Sequence, residues 1–255
     1  VRAAAEIPLE VEQRQRVRWL WLNRPACRNA LDERLIASLG GALEDAEGDP
    51  GTDALVIAGT GPSFCAGADL KALLALAEEG RSPLPFLERV SGTFSRIERS
   101  PLPVVAALHG HAVAGGLELA LAADVVVATG STLIGDGHLR NGLVPGGGSS
   151  VRLPRKLGAG KARWLLLTGE LVPAAELEAD GWLHSVVPDH RLHDVADQLA
   201  SRLAEIAGPA QSRLKRLLAE VSGQPPEVAL RRELQVFEEN WEMSEMVARL
   251  GTFLS

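Results

Sequence analysis

The stretch IGDGHLRNGLVPGGGSS, residues 134–150, carries one imidazole, His138, in a run otherwise shaped by glycines and a proline. Histidine is the side chain that exchanges protons near neutral pH, and glycines let backbone approach a ligand closely. Two further stretches, SFCAGADLK at residues 63–71 and HGHAVAGGLELALAAD at residues 109–124, each follow an apolar strand-like run with a tight turn and a helix start. The first amides of a helix have no intrahelical partner. Two such amides converging on one oxygen make an oxyanion hole, aided by the positive end of the second helix. Nucleotide chemistry is not supported. GGLEL lacks the G-x-G-x-x-G spacing and its following acidic residue, and no G-x-x-x-x-G-K-[ST] occurs.

The surrounding pattern supplies elements to position these groups. LEVEQ and RVRWLWLN alternate apolar and polar residues across a short break, which predicts an antiparallel strand pair. Leu35, Ile36, Leu39 and Leu43 mark one helical face, and Phe86, Val90, Phe94 and Ile97 another. DALVIAGTG, PLPVVAALHG and VVVATGSTLIG read as three buried strands, and GGLELALAAD as a helix. Strands alternating with helices predict an α/β core with parallel strands and a ligand at one end of the sheet.

From about Leu192 only helical periodicity remains. One stripe is Val195, Leu199, Leu203 and Ile206; another is Leu230, Leu234, Phe237 and Trp241. The expected organisation is an α/β core over residues 1–191 holding the site, then a helical region over 192–255 whose stripes pack on the core or on another subunit.

Composition narrows the partners. A chain of 255 residues with 46% hydrophobic and 23% charged residues can bury a sizeable core. A formal charge of −7 disfavours nucleic acid or an anionic membrane as the main partner. Cys27 and Cys65 are two lone thiols without CxxC spacing, so neither a disulfide framework nor a metal cluster is expected. No apolar run reaches membrane-spanning length, and the start, VRAAAEIPLEVEQ, lacks a signal-peptide layout. A cytoplasmic protein is the expectation.

The ordered set FCAGADLK, AVAGGLELALAADVVVA and GLVPGGGSSVRLPRKLGAGKARWLLLTGE resembles the enoyl-CoA hydratase/isomerase family, the crotonase superfamily. The likeness begins at LNRPACRNALD, residues 22–32, and runs to about Pro188. It implies a crotonase-like spiral of repeated β-β-α units, homotrimers or homohexamers built through the C-terminal helices, and a coenzyme A thioester as substrate. No separate cofactor is implied beyond that coenzyme A. The matching oxyanion-hole amides belong to Ala68 and Gly115. Coenzyme A contacts are implied around Ala66 and Leu70, with Arg28 and Lys71 as the nearby cations. In the tail, Ala248 and Arg249 stand where relatives often have an acidic residue and glycine.

The resemblance also assigns the acid/base pair. Family hydratases hold one water between two glutamates, the first lying three residues after the oxyanion-hole glycine. That residue is Glu118, whose apolar neighbours Leu117 and Leu119 predict a raised pKa. The second position, seven residues before the proline of VPG, is His138, so the expected pair is Glu118 with His138. Asp136, two residues away, is a candidate to orient it. His109, His111, Asp69 and Asp124 read as structural.

Three reactions fit this pattern. Hydration of a 2-enoyl-CoA, or the reverse dehydration, uses both groups. Double-bond isomerisation uses Glu118 alone; relatives of that kind often carry a further carboxylate near Pro145, which this chain lacks. Hydrolysis of a C–C bond in a β-diketone or β-keto thioester resembles superfamily members with histidine in this loop, though an aspartate expected among residues 146–148 is replaced by glycine. The remaining alternatives are a catalytically silent scaffold or an RNA-binding member of the family, the latter disfavoured by the acidic balance.

Overall fold

The computed structural model describes residues 7–206 and 208–242. The tail positions Ala248 and Arg249 lie outside the described residues. Two sheets carry the fold. The larger has six strands, β1 (Leu9–Arg14), β2 (Val17–Leu22), β3 (Ala54–Gly59), β4 (Val104–Leu108), β6 (Val125–Thr129) and β9 (Ser185–Val187), in the order β1-β2-β3-β4-β6-β9. The smaller joins β5 (His111–Val113), β7 (Leu133–Gly135) and β8 (Val172–Pro173) in the order β5-β7-β8.

Only β1–β2 in the large sheet is antiparallel, the pair anticipated from LEVEQ and RVRWLWLN. The remaining pairs of that sheet, β2–β3, β3–β4, β4–β6 and β6–β9, are parallel. Parallel strands need crossovers, and the helices provide them. They are α1 (Glu33–Gly48), α2 (Leu70–Glu78), α3 (Leu84–Arg99), α4 (Gly115–Leu121), α5 (Ser149–Leu157) and α6 (Ala159–Thr168). Asp32 caps α1 by accepting from Leu35 N at 2.8 Å, and Asp69 caps α2 by accepting from Lys71 N and Ala72 N.

The chain repeats one path. It leaves β3 and bridges Cys65 to Ala112 before α2; it leaves β4 for β5 before α4; it leaves β6 for β7 on the way to α5. Each passage takes a strand of the large sheet, then a short extended segment beside the small one, then a helix. This is the crotonase spiral, and it places two strand-to-helix turns side by side. VVVATGSTLIG is therefore two strands rather than one. The chain turns at residues 130–132, with Thr132 N donating to Thr129 O at 3.0 Å, and β7 departs to the second sheet.

Strand alternation divides the core between the two faces of the large sheet. Leu20, Leu22, Leu55 and Ile57 point into the main core with the buried faces of α1 and α3. Val17, Trp19, Val56 and Val105 point the other way, where α7 (Leu192–Glu205) covers them with Leu192, Ala196 and Ala200. Trp19 Nε1 donates to Asp197 on that helix at 3.0 Å. The expected stripe of Val195, Leu199 and Leu203 flanks this buried line, whereas Ile206 is exposed.

Two more helices, α8 (Pro209–Val221) and α9 (Pro226–Trp241), follow. Lys215 ties α8 to the core, donating to Ile97 O, Leu102 O and Asp124 Oδ2. Asp124 also accepts from Val104 N at 2.7 Å, so its part is structural. The Leu230, Leu234, Phe237 and Trp241 stripe of α9 is 56–69% exposed and does not pack on the core. Among the described residues, no helix is long and apolar enough to cross a membrane.

Candidate active site

Residues 63–69 pass between two neighbours and bond to each in turn. Phe64 N donates to His109 O at 2.8 Å and Cys65 N to His111 O at 2.9 Å, while Val113 N donates to Cys65 O at 3.0 Å. Further along, Leu31 N donates to Gly67 O at 2.7 Å and Asp69 N to Leu31 O at 2.9 Å. In this parallel bridge Leu31 engages residues 67 and 69, so the amide between them, that of Ala68, faces the opposite side. It donates to no described residue.

The second turn delivers another free amide. Ala114 sits at φ 51° and ψ −117°, a left-handed conformation unusual for a residue with a Cβ. Such strain costs on the order of 1–3 kcal/mol and persists only when its surroundings hold it. Here Ala114 N donates to Gly135 O at 3.0 Å and Ala114 O accepts from Glu118 N at 2.9 Å. The kink turns β5 into α4 within one residue, leaving Gly115 N as a first helical amide without a described partner. A Cβ at Gly115 would lie 3.5 Å from Ala68 N, so the two turns are in contact. This pair of donors can bind one anionic oxygen between them.

Glu118 follows one turn along α4 and is 2% exposed. Its Oε1 accepts from Gly147 N at 2.8 Å and Ser149 N at 3.0 Å, leaving Oε2 without a described partner. Burial raises the carboxyl's pKa, against the opposing pull of those two amides and the His138 charge. The amides belong to the glycine run 146–148 and the residue after it, and Arg152 holds that run in place. Arg152, itself buried, donates to Gly147 O at 2.8 Å, to Glu98 Oε2 and to Ser95 Oγ at 3.1 Å on α3. Neither the seat nor the Arg152 clamp is visible in local sequence. The glycines mark a ligand-shaped loop, but the ligand of their amides is a side chain 29 residues earlier.

His138 opens a 3-10 turn (His138–Asn141) after Gly137, which takes φ 64°. Its Nδ1 lies 2.9 Å from Asp136 Oδ1. The approach is that of an ion pair rather than an aligned hydrogen bond, and Asp136 Oδ2 has no described partner although it is buried. Burial lowers the imidazole pKa, but the adjacent Asp136 carboxylate and the field of Glu118 outweigh it, and the net effect is upward.

Glu118 and His138 line one narrow cavity of about 80 Å³. Ala68 and Gly115 form part of its wall. Leu73, Pro83, Phe86, Leu87 and Val90 supply an apolar side from α2, α3 and their connection, and Leu31, Leu143 and Val144 close it elsewhere. The structure thus brings together all four residues expected to do chemistry. Of the expected coenzyme A positions, Ala66 N donates to Arg28 O at 3.0 Å, while Leu70, Lys71 and Arg28 are exposed near the Ala68 turn.

The remaining candidates are fixed in supporting positions. His109 Nε2 lies 2.9 Å from Gly61 O, and His111 Nδ1 lies 3.0 Å from Ser63 Oγ, so both brace the start of the first turn. Asp69 joins its cap to an ion pair with Arg24 at 3.1 Å. Cys27 and Cys65 are free thiols. Burial pushes the Cys65 thiol up to about 12, which leaves no thiolate to act as a nucleophile.

The family model for enoyl-CoA hydratase/isomerase matches residues 12–253. The chain belongs to the enoyl-CoA hydratase/isomerase family. It is 35% identical over 234 residues to the 2,3-dehydroadipyl-CoA hydratase of Escherichia coli, covering 90% of this chain and 88% of that protein. A putative enoyl-CoA hydratase of Thermus thermophilus is 38% identical over 209 residues, covering 80% of this chain and 81% of the relative. The crystal structure of an enoyl-CoA hydratase from Polaromonas superposes with a TM-score of 0.91 at 31% identity, covering 96% of each chain.

Proposed function

We propose that this member of the enoyl-CoA hydratase/isomerase family adds water across the Cα=Cβ bond of a 2-enoyl-CoA, or removes it in reverse. The observation that carries the reading is the convergence on one apolar cavity of two unpaired backbone amides with a carboxylate and an imidazole. The amides of Ala68 and Gly115 bind the thioester oxygen and stabilise the negative charge it gains as the enolate forms. Glu118 Oε2 takes one proton from a water whose oxygen bonds to Cβ. The imidazolium of His138 gives its proton to Cα as the enolate collapses. Glu118 ends protonated and His138 neutral, and a proton passed from one to the other through solvent restores the starting state. In the reverse direction each transfer is inverted.

Coenzyme A lies in this reading along the Ala66–Leu70 backbone, with Arg28 and Lys71 meeting its phosphates. The exposed α9 stripe is the surface through which copies of the chain assemble into trimers or hexamers. The reading is tested by incubating the purified protein with 2-enoyl-CoA thioesters from short to aromatic and recording product masses. Gain of one water with the carbon skeleton intact is the expected result. The contact between His138 and Asp136 favours one second reading, hydrolysis of a β-keto thioester with His138 activating water. Cleavage of β-keto thioesters alongside an inert enoyl panel would establish that reaction instead.

A further inference from the structure

Asp136 is an acid beside this cavity to which the reaction above gives no task, and its setting is costly. Its side chain is fully buried, its Oδ2 has no partner among the described residues, and the backbone bond it accepts from His138 N is long at 3.4 Å. A buried carboxylate so poorly satisfied by the fold calls for another explanation of its presence. Its near neighbour is the His138 ring, with Nδ1 at 2.9 Å from Oδ1. We propose that Asp136 is the positioning residue of His138: it holds the ring by Nδ1, leaves Nε2 as the nitrogen offered to substrate, and supplies the counter-charge of the imidazolium. The proposal rests on the acid/base reading of Glu118 and His138 given above.

The other charges around the ring are consistent with this assignment. Glu118 on α4 is the second group whose field reaches His138. Arg140, in the same 3-10 turn, lays its side chain against Gly169, and Glu170 beyond it accepts from Trp164 Nε1 at 2.5 Å. Among the described residues, His138 is the one basic group in ion-pair distance of Asp136.

The test is ¹⁵N NMR of the histidine ring across pH in wild type, Asp136→Asn and Asp136→Glu, with steady-state kinetics on the full-length protein. In the asparagine variant the His138 pKa falls, the Nδ1-protonated tautomer loses its dominance, and kcat drops by about 10²-fold, the scale of a misplaced catalytic group, while KM stays near wild type. The glutamate variant recovers part of both signals. In a His138→Gln background, adding Asp136→Asn produces no further loss of kcat. An unchanged His138 titration in a folded Asp136→Asn protein overturns the proposal, as does a full additional loss in the double variant. The NMR readout needs no substrate, so it decides the role of Asp136 even if no thioester in the panel turns over.

Discussion

Replacing Glu118 by glutamine separates the chemical role of this residue from its structural one. The two side chains have nearly the same shape, and a glutamine Oε1 can still accept from Gly147 N and Ser149 N. What is lost is the proton acceptor at Oε2. General acid–base catalysis is worth about 10²–10⁴-fold in rate, or about 2.7–5.4 kcal/mol of barrier, and kcat of Glu118→Gln should fall by that much with thioester affinity retained. Stability should move the other way. The folded-state pKa of Glu118 lies above its ordinary 4.5, so the native protein keeps a proton that the unfolded chain has already released. Below the ordinary value both states are protonated and the variant gains nothing. As pH rises from there through the folded-state pKa, wild type loses about 1.36 kcal/mol for every pH unit that separates the two pKa values, a loss the amide does not share. Thermal melts from pH 4 to pH 8 read this directly: the variant gains on wild type as pH rises. Full activity would rule out Glu118 as the proton acceptor, and a destabilisation that grows with pH would rule out its raised folded-state pKa.

Further outcomes follow from the same geometry. The hydration rate should be bell-shaped in pH, because Glu118 must be ionised and His138 protonated. The acid limb then lies above the ordinary 4.5 and the alkaline limb above the ordinary 6.5, with both apparent values belonging to the coupled pair; His138→Gln should erase the alkaline limb. The stability contributed by the His138 ion pair is complete below about 6.5 and is lost as pH rises through the raised folded-state pKa, so His138→Gln should flatten that decline in melts. Gly116→Ala drives a Cβ into the Cys65 carbonyl oxygen, beside the Ala68 turn. Overpacking of this kind costs about 1–3 kcal/mol and should lower both Tm and kcat. Gly40→Ala on α1, where a Cβ meets nothing within 4 Å, is the control and should gain up to about 1 kcal/mol.

The candidate residues that the structure brings to one cavity sit on local motifs. Tight turns with small residues pointed to two outward-facing helix-start amides, and the resemblance to the enoyl-CoA hydratase/isomerase family implied that they are those of Ala68 and Gly115, with Glu118 one helical turn beyond. His138 stood out because it occupies the position at which the resemblance implies a glutamate. The pieces that were not legible depend on long-range contact. The Glu118 seat needs amides from residues 147 and 149, which approach only once Arg152 draws their loop onto α3. That Asp136 would turn toward His138 depends on the left-handed turn at Gly137. Within VVVATGSTLIG the turn at residues 130–132 divides two apolar runs, and that they belong to different sheets depends on long-range pairing that the local pattern does not show. The α9 stripe, expected from its periodicity to pack on the core or on another subunit, is left uncovered by the core.

In the proposed reaction Glu118 and His138 add water rather than move a double bond. The most direct test runs the turnover of an enoyl-CoA in H₂¹⁸O and, separately, in D₂O, and locates the isotopes in the product by mass spectrometry and NMR. Hydration places ¹⁸O at Cβ and one solvent hydrogen at Cα. Solvent hydrogen at Cγ with no ¹⁸O incorporated would contradict it.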